Sequence, residues 1–326
     1  MPAVNSKIVQ ADYNDIRNKI VTVLGNGSGN SGYGQQARIN SVAVAEGTKV
    51  TVNEWANLRF DIINAYKHIN GVNPTTAQVA EGNTIRYTAT FTPDTGTADV
   101  PQKQYDDWAN TITTTRFGIA GGESATTAAV SQARTGAWIS QCTCTIQFNW
   151  ANSDQARYWF NSGGKIRVSA SRSAGGAQPQ NTAWTSLLSS AGTQSFGGAV
   201  PNVSLVTSPN DGTNWYRTTS TFQTYYTATA SSPYGSNNYQ LQARCVGVAS
   251  NSSGTAASGE IRVVFNDGYT DPGQHPSNPV PDYTDSVDGT LTVSVSLLFA
   301  TGIMVPSSAV FTVTNPTVAV GAVTGS

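Results

Sequence analysis

Hydrophobic periodicity divides the chain into a helical first third and a strand-rich remainder. Apolar residues recur at helical spacing over residues 11–24, 52–69 and 101–113. Between the second and third of these segments, residues 84–91 alternate polar and apolar side chains as a half-buried strand does. We therefore predict a small α+β domain over residues 1–120.

Each of the three predicted helices has an aromatic residue near its start, next to an acidic or amide side chain. These aromatic residues are Tyr13 after Asp12, Trp55 after Glu54, and Tyr105 before Asp106. A weak internal repeat explains the similarity, and so does a recurring need for core-forming residues. The sequence leaves both interpretations open.

Beyond about residue 137 the hydrophobic period becomes two, which is typical of strands. Five segments show this alternation: 138–148, 165–171, 221–229, 239–248 and 259–265. Their number and spacing predict a mainly antiparallel β-sandwich over residues 121–266. Short helical patterns at 154–160 and 181–189 predict two helical inserts in this domain.

The C-terminal part combines a linker with a short β extension. Residues 267–289 are rich in Pro, Asp and Gly, and proline has no N–H to donate to a sheet. In residues 290–326 the apolar positions alternate again, at Leu291, Val293, Val295, Leu297 and Phe299. Two or three strands are too few to be stable alone, so we expect them to pack on the preceding domain or on another subunit. We assign the five apolar residues to assembly.

The amino-acid composition indicates which classes of partner this chain can bind. Charged residues make up 11% of the chain, against about 25% in ordinary soluble domains. With 18 basic and 19 acidic residues the net charge is -1, which excludes a general affinity for nucleic acid. So few charges of either sign also favour self-association. We predict no export signal and no membrane span, because there is no basic and then apolar leader and no long apolar run.

Catalytic motifs are sparse. The histidines His68 and His275 lack the neighbourhood of a catalytic triad, and no GxSxG motif is present. The glycine-rich segment 27–32 follows a helix instead of a strand, which is unlike a dinucleotide-binding turn. We predict that the protein is not an enzyme, that it needs no cofactor, and that its three cysteines are buried free thiols.

A structural calcium ion is a weak alternative to the absence of any cofactor. The residues with suitable carboxylates are Asp267, Asp271, Asp282, Asp285 and Asp288. They do not follow the order of ligands in an EF-hand loop.

Two groups of aromatic residues are candidates for contacts with other molecules. Trp150, Tyr158 and Trp159 lie beside amide side chains, a combination suited to stacking on sugar rings and equally to packing a helix on a sheet. Tyr225 and Tyr226 fit a subunit contact, where tyrosine is enriched, or simply the interior of a strand.

One stretch carries a resemblance to a known class of protein. Residues 156–172, beginning Ala-Arg-Tyr-Trp-Phe-Asn-Ser-Gly-Gly, and Asn181-Thr182-Ala183-Trp184 resemble virion structural proteins of marine tailed phages of the T4-like cyanophage type. The opening stretch over residues 12–35 and Asp288-Gly289-Thr290-Leu291 have the same character. The resemblance implies a location in the virion but assigns no catalytic residue.

From these observations we expect a tail-associated structural protein of the fibre, baseplate or collar region. Its partners would be further copies of itself and other virion proteins, and it would act by oligomeric assembly. Two alternatives remain: an adhesin that binds a host-surface polysaccharide through Trp150, Tyr158 and Trp159, and a head or neck decoration protein.

Overall fold

The computed structural model divides the chain into two compact units. It describes residues 10–74, 78–79, 85–86, 100–176, 178–199, 214–270, 286–301, 303–304, 309–310 and 313–325. The first unit combines Met1–Ala125 with the later segments Arg157–Gly164 and Phe299–Thr314. The second combines Thr126–Ala156, Lys165–Leu298 and Asn315–Ser326.

Some sequence-based expectations fall outside the described residues. They concern the predicted strand beyond residue 86 and, within the predicted linker, residues 271–285, which include His275, Asp271, Asp282 and Asp285.

The described residues include five α-helices, close to the predicted positions. They are α1 (Gln10–Leu24), α2 (Val52–Asn70), α3 (Gln102–Thr115), α4 (Ser153–Asn161) and α5 (Pro179–Ala191). Single 3-10 turns occur at Gln36–Arg38, Gly121–Glu123 and Trp215–Arg217.

In the part of the chain that the structure describes, the strands form two main antiparallel sheets and two small two-stranded pairs. In chain order the strands are β1 (Ile85–Arg86), β2 (Val100–Pro101), β3 (Ser124–Thr126), β4 (Val130–Arg134), β5 (Gln141–Asn149), β6 (Lys165–Ser173), β7 (Gln194–Gly197), β8 (Gln223–Thr229), β9 (Asn238–Val246), β10 (Ser258–Asn266), β11 (Thr290–Ala300), β12 (Ile303–Met304), β13 (Ala309–Val310), β14 (Thr317–Val320) and β15 (Thr324–Gly325). Helices followed by two antiparallel sheets confirm the predicted α+β class with a β-sandwich.

The core of the first unit is organised around three aromatic rings, one from each long helix. Trp55 of α2 lies 5.4 Å from Tyr13 of α1 and 5.2 Å from Tyr105 of α3, in edge-to-face geometry on both sides. Each ring belongs to the fourth residue of its helix. Edge-to-face pairs add about 0.5–1.5 kcal/mol beyond the burial of apolar area. The similar helix starts seen in the sequence therefore converge on one packing site.

Local hydrogen bonds fix the ends of α2 and the loop beside it. The carboxylate of Glu54 accepts a hydrogen bond from the N–H of Thr51 at 2.6 Å, which satisfies a donor at the start of the helix. Gly71 ends the helix in the left-handed conformation, with φ of 77°. The buried carboxylate of Asp61 accepts from the backbone N–H groups of Asn40 and Ser41, at 2.9 and 2.8 Å. These bonds attach the loop to the helix.

In the second unit, six strands form one sheet in the order β14, β5, β10, β9 and β8, with β15 also paired to β5. The other sheet has the order β3, β11, β6 and β7, with β4 also paired to β11. Phe196 of the five-stranded sheet contacts Phe148 and Tyr225 of the six-stranded sheet, at centroid distances of 6.4 and 5.2 Å. Buried and more exposed residues alternate along β5, β6, β9, β10 and β11, as the sandwich prediction requires.

Gly259 of β10 provides the space for the aromatic rings at one end of this core. A Cβ atom at this position would lie 2.6 Å from the ring of Phe148 and 2.8 Å from the ring of Trp215. Any larger residue would therefore displace one of these rings. The glycine is needed here for packing and not for an unusual backbone angle.

The C-terminal apolar residues of β11 pack within this chain, which is one of the two arrangements that the sequence allowed, so their burial gives no support to the assembly role assigned to them. β11 is an internal strand, paired with β6 along nine residues and with β4 along five. Its alternating residues Leu291, Val293, Val295 and Leu297 are buried inside the chain, and Phe299 is partly buried. Strands distant in sequence thus form hydrogen bonds with both edges of β11, so no second subunit is needed to cover this strand.

We predict that Trp55→Ala lowers the free energy of unfolding by about 3–5 kcal/mol, because it removes the ring that both other aromatic residues contact. Denaturant unfolding monitored by circular dichroism measures the change. Val72→Ala serves as a control, because Val72 is 60% exposed and should change stability by less than about 0.5 kcal/mol. A loss below about 1 kcal/mol in Trp55→Ala would contradict the central place of this ring.

Candidate functional site

Two of the three residues predicted to stack on sugar rings, Trp150 and Trp159, are buried. In the second unit, Trp150 is 6% exposed and packs against Phe148 and Trp215, at centroid distances of 5.8 and 6.0 Å. In the first unit, Trp159 is fully buried and contacts Phe160 at 4.9 Å. Their ring faces are covered by protein, so neither residue can stack on a sugar in this conformation. Core packing, the other interpretation of these residues, fits their burial.

Tyr158, the third residue of that group, is half-buried in the first unit. The guanidinium of Arg157 lies 5.1 Å from the centroid of its ring. The backbone of Gly34 approaches the ring so closely that a Cβ atom there would lie 2.4 Å from it. This ring is therefore held by its neighbours and offers only part of its surface.

The described aspartates of the C-terminal region form hydrogen bonds within the protein. Asp288 accepts from the side chain of Asn181, and its carboxylate pairs with Arg172 at 3.2 Å. Asp267 accepts from the amide of Gln180 at 2.6 Å. Within the described ranges, no group of three or more His, Cys, Asp or Glu residues is placed to hold a metal ion.

The three cysteines and the described histidine, His68, are buried. Cys142, Cys144 and Cys245 are free thiols in the core, as predicted. Burial raises the pKa of Cys142 and of Cys144 to about 11, so both remain protonated near neutral pH. His68 is buried as well, with Nε2 2.9 Å from the carbonyl oxygen of Ser162. None of these four described residues offers an accessible reactive group.

A groove of about 640 Å³ lies between α5 and β8 in the second unit. Its volume is within the usual range for ligand-binding sites. The α5 wall consists of Pro179, Thr182, Ala183, Ser186, Leu187, Ser190 and Ala191. The opposite wall is a continuous run of nine residues, Tyr226, Thr227, Ala228, Thr229, Ala230, Ser231, Ser232, Pro233 and Tyr234. We take this groove as the candidate functional site.

The backbone of β8 borders the groove. The side chains of consecutive strand residues point to opposite faces of a sheet, whereas their backbone groups lie along the same strand edge. A run of consecutive lining residues therefore indicates that the backbone edge faces the groove. β8 is the last strand of its sheet among the described residues, and β9 is its neighbour there. The strand therefore presents one row of backbone groups outside the sheet.

The pairing with β9 shows which backbone groups point outwards. The N–H of Ala230 donates to the carbonyl oxygen of Asn237 at 3.0 Å. Hydrogen-bonded and non-hydrogen-bonded pairs alternate along an antiparallel ladder. Counting back from Ala230, Thr229 and Thr227 occupy the non-hydrogen-bonded positions, opposite Asn238 and Gln240. Their N–H and C=O groups consequently point away from β9.

A register shift between Thr224 and Tyr226 explains why two adjacent tyrosines are both buried. Tyr225 and Tyr226 are each 1% exposed, although neighbouring strand residues normally face opposite sides. Burial raises the pKa of both phenols. Tyr226 also lines the groove, and its buried hydroxyl has no hydrogen-bond partner among the described residues. The rings of Tyr225 and Tyr226 are therefore not exposed for the subunit contact predicted for them, and their burial fits the alternative of a strand interior.

The lining of the groove is rich in hydroxyl groups and contains no Asp, Glu, Lys, Arg or His. It offers backbone and hydroxyl hydrogen bonds between small apolar surfaces. An uncharged partner fits such a surface, because burying an unpaired charge there is costly. The groove was not predicted from the sequence. The features that could have indicated it are the uncharged residues 224–234 and the small residues of α5.

Comparison with known proteins finds no match: no family model, no curated protein and no solved structure is similar to this chain. In the part of the chain that the structure describes, no helix combines the length and apolar character needed to cross a bilayer. The geometry of the described residues therefore carries the functional argument.

We predict that His68 makes stability depend on pH. Burial lowers its pKa from 6.5 to about 4, and the hydrogen bond to the carbonyl of Ser162 opposes this shift. The unfolded chain binds a proton at pH values where folded His68 is still neutral, so the free energy of unfolding should decrease as the pH falls from 6.5 towards 4. Above this window the contribution is fully present. Urea unfolding at several pH values measures the effect.

His68→Gln is the matched variant, because glutamine retains an N–H donor but does not titrate in this range. Its free energy of unfolding should depend less on pH in this window than that of the wild type. Equal pH dependence in both proteins would show that other groups carry the effect.

We also predict that Tyr226→Phe does not destabilise the protein and raises the free energy of unfolding by up to about 1 kcal/mol, because it removes a buried hydroxyl without a described partner. Tyr13→Phe is the contrasting variant, since its hydroxyl lies 3.2 Å from the carbonyl oxygen of Glu54. That variant should lose about 1 kcal/mol. Thermal and urea unfolding compare the two. A clear loss in Tyr226→Phe would mean that its hydroxyl is hydrogen-bonded in solution.

Proposed function

We propose that this chain is a structural protein of a tailed phage particle, associated with the tail, and that it acts by oligomeric assembly. The observation that carries the proposal is the outward-facing backbone of β8 beside a groove without charged side chains. A sheet edge of this kind associates by backbone hydrogen bonding with another strand. The phage context rests on the resemblance of residues 156–172 to marine phage virion proteins.

Composition supports an assembly role. With a net charge of -1 and 11% charged residues, copies of the chain repel one another weakly. Association then depends on shape, apolar contact and hydrogen bonding, which act at short range. Pairing with β9 holds the β8 edge in place within its sheet. This combination suits a protein that is repeated around a symmetry axis of a particle.

The described residues give less support to the alternatives. The adhesin hypothesis depended on Trp150, Tyr158 and Trp159, two of which are buried. An enzyme would need reactive groups at a surface, and the groove has none that ionise near neutral pH. A head or neck decoration protein would use the same assembly chemistry as a tail protein and differs from it only in location.

The location can be tested on purified phage particles of the virus that encodes this chain. Antibodies raised against the purified protein should label the tail region by immunogold electron microscopy, and mass spectrometry should detect the chain in the same particles. Pre-immune serum provides the control. Labelling confined to the head or neck would overturn the tail assignment. Absence of the chain from purified particles would overturn the virion proposal altogether.

A further inference from the structure

We propose that the β8 edge is a homodimer interface, at which β8 of one copy pairs antiparallel with β8 of a second copy. The two six-stranded sheets would then join into one continuous sheet. This inference deepens the assembly function proposed above and rests on it, since it identifies the surface through which copies associate. A twofold axis through the strand pair makes the contact self-complementary, as closed dimers require.

The first argument is the supply of hydrogen-bonding groups. Thr227 and Thr229 each direct one N–H and one C=O away from β9, as their positions in the ladder require. A second β8 in antiparallel orientation presents the same groups at the same spacing. Each donor on one copy thereby meets an acceptor on the other.

The second argument is that β8 carries neither charged residues nor proline, two of the usual protections of an edge strand. Proteins commonly discourage strand addition with charged residues or proline along the edge. The sequence of β8, Gln-Thr-Tyr-Tyr-Thr-Ala-Thr, contains neither. Its register shift lies between Thr224 and Tyr226, so the pairing from Tyr226 to Thr229 remains regular. A regular, uncharged segment of this kind is suited to pairing with an identical strand.

The third argument is the chemistry of the α5 wall. Small side chains, including Ala183, Ser186 and Ala191, line the groove on this side. The space they leave can receive the side chains of an incoming strand. The residues that β8 itself would bring are uncharged, which matches a lining without ionised groups. The groove and the proposed occupant therefore have complementary chemistry.

The proposal is tested by sedimentation velocity of the full chain over a dilution series. Thr229→Pro removes one outward N–H but no hydrogen bond to β9, because Thr229 occupies a non-hydrogen-bonded position. It should weaken dimerisation roughly tenfold or more. Thr229→Ala is its control, because it changes the side chain and keeps the N–H. Circular dichroism and unfolding midpoints establish that both variants are folded.

A second pair of variants tests the groove from its other wall and leaves the β8 backbone intact. Ser186→Trp places a large ring in the groove and should also abolish or weaken dimerisation. Ser189→Trp adds the same ring on an exposed residue of α5 outside the lining and should not.

The outcomes separate this inference from the function on which it rests. Dimers that persist in both Thr229→Pro and Ser186→Trp would overturn the β8 interface and leave assembly through another surface. A wild-type chain that stays monomeric at every concentration would overturn the interface as well, and particle labelling then decides the proposed function separately. Loss of dimers in both variants, but in neither control, supports the proposal.

Discussion

The strands of the second unit are subject to one constraint: the backbone groups along both edges of a strand need hydrogen-bond partners, either from a neighbouring strand or from water. β11 shows how the chain meets this constraint, because β6 pairs along one edge while β3 and β4 share the other. These partners come from before and after α4, far from β11 in sequence. The sandwich therefore depends on long-range pairing, and in the five-stranded sheet the C-terminal strand β11 joins β3 and β4 to β6 and β7.

The same constraint distinguishes the two ends of the six-stranded sheet. At the other end of the six-stranded sheet, β14 and β15 cover the outer edge of β5, so the C-terminal residues protect that side. Among the described residues β8 has no equivalent cover. Pairing between copies would give the outward backbone groups of β8 hydrogen-bond partners, and the uncharged sequence of the strand is compatible with such pairing.

Local patterns in the sequence predicted most of the secondary structure, because short-range physics determines it. The capping interaction of Glu54, the glycine at position 71 and the spacing of apolar residues mark α2 without any knowledge of its neighbours. Alternating residues likewise predicted β5, β9, β10 and β11. The meeting of Tyr13, Trp55 and Tyr105 was not predictable in the same way. Equivalent positions suggested a common role, but only the tertiary structure shows that the rings contact one another.

Pairing partners were the main information that the sequence did not contain. The alternation of Leu291, Val293, Val295 and Leu297 correctly indicated a strand with one buried face, yet the identical pattern is expected whether the cover comes from the same chain or from another copy. For the same reason the aromatic residues near 150–160 were compatible with a surface or a core. Burial decides between these cases, and it follows from contacts between residues far apart in sequence.

Whether a strand lies at the edge of a sheet depends on the topology of the whole sheet. The same strand sequence therefore has different consequences at an edge and in the middle. The seven residues of β8 would be unremarkable in the middle of a sheet, where neighbours would use both rows of backbone groups. At the end of the sheet the same residues leave Thr227 and Thr229 with outward donors and acceptors, next to a helix whose small side chains leave a groove. With so few charges to oppose the approach of another molecule, backbone hydrogen bonding and close packing determine what this edge binds.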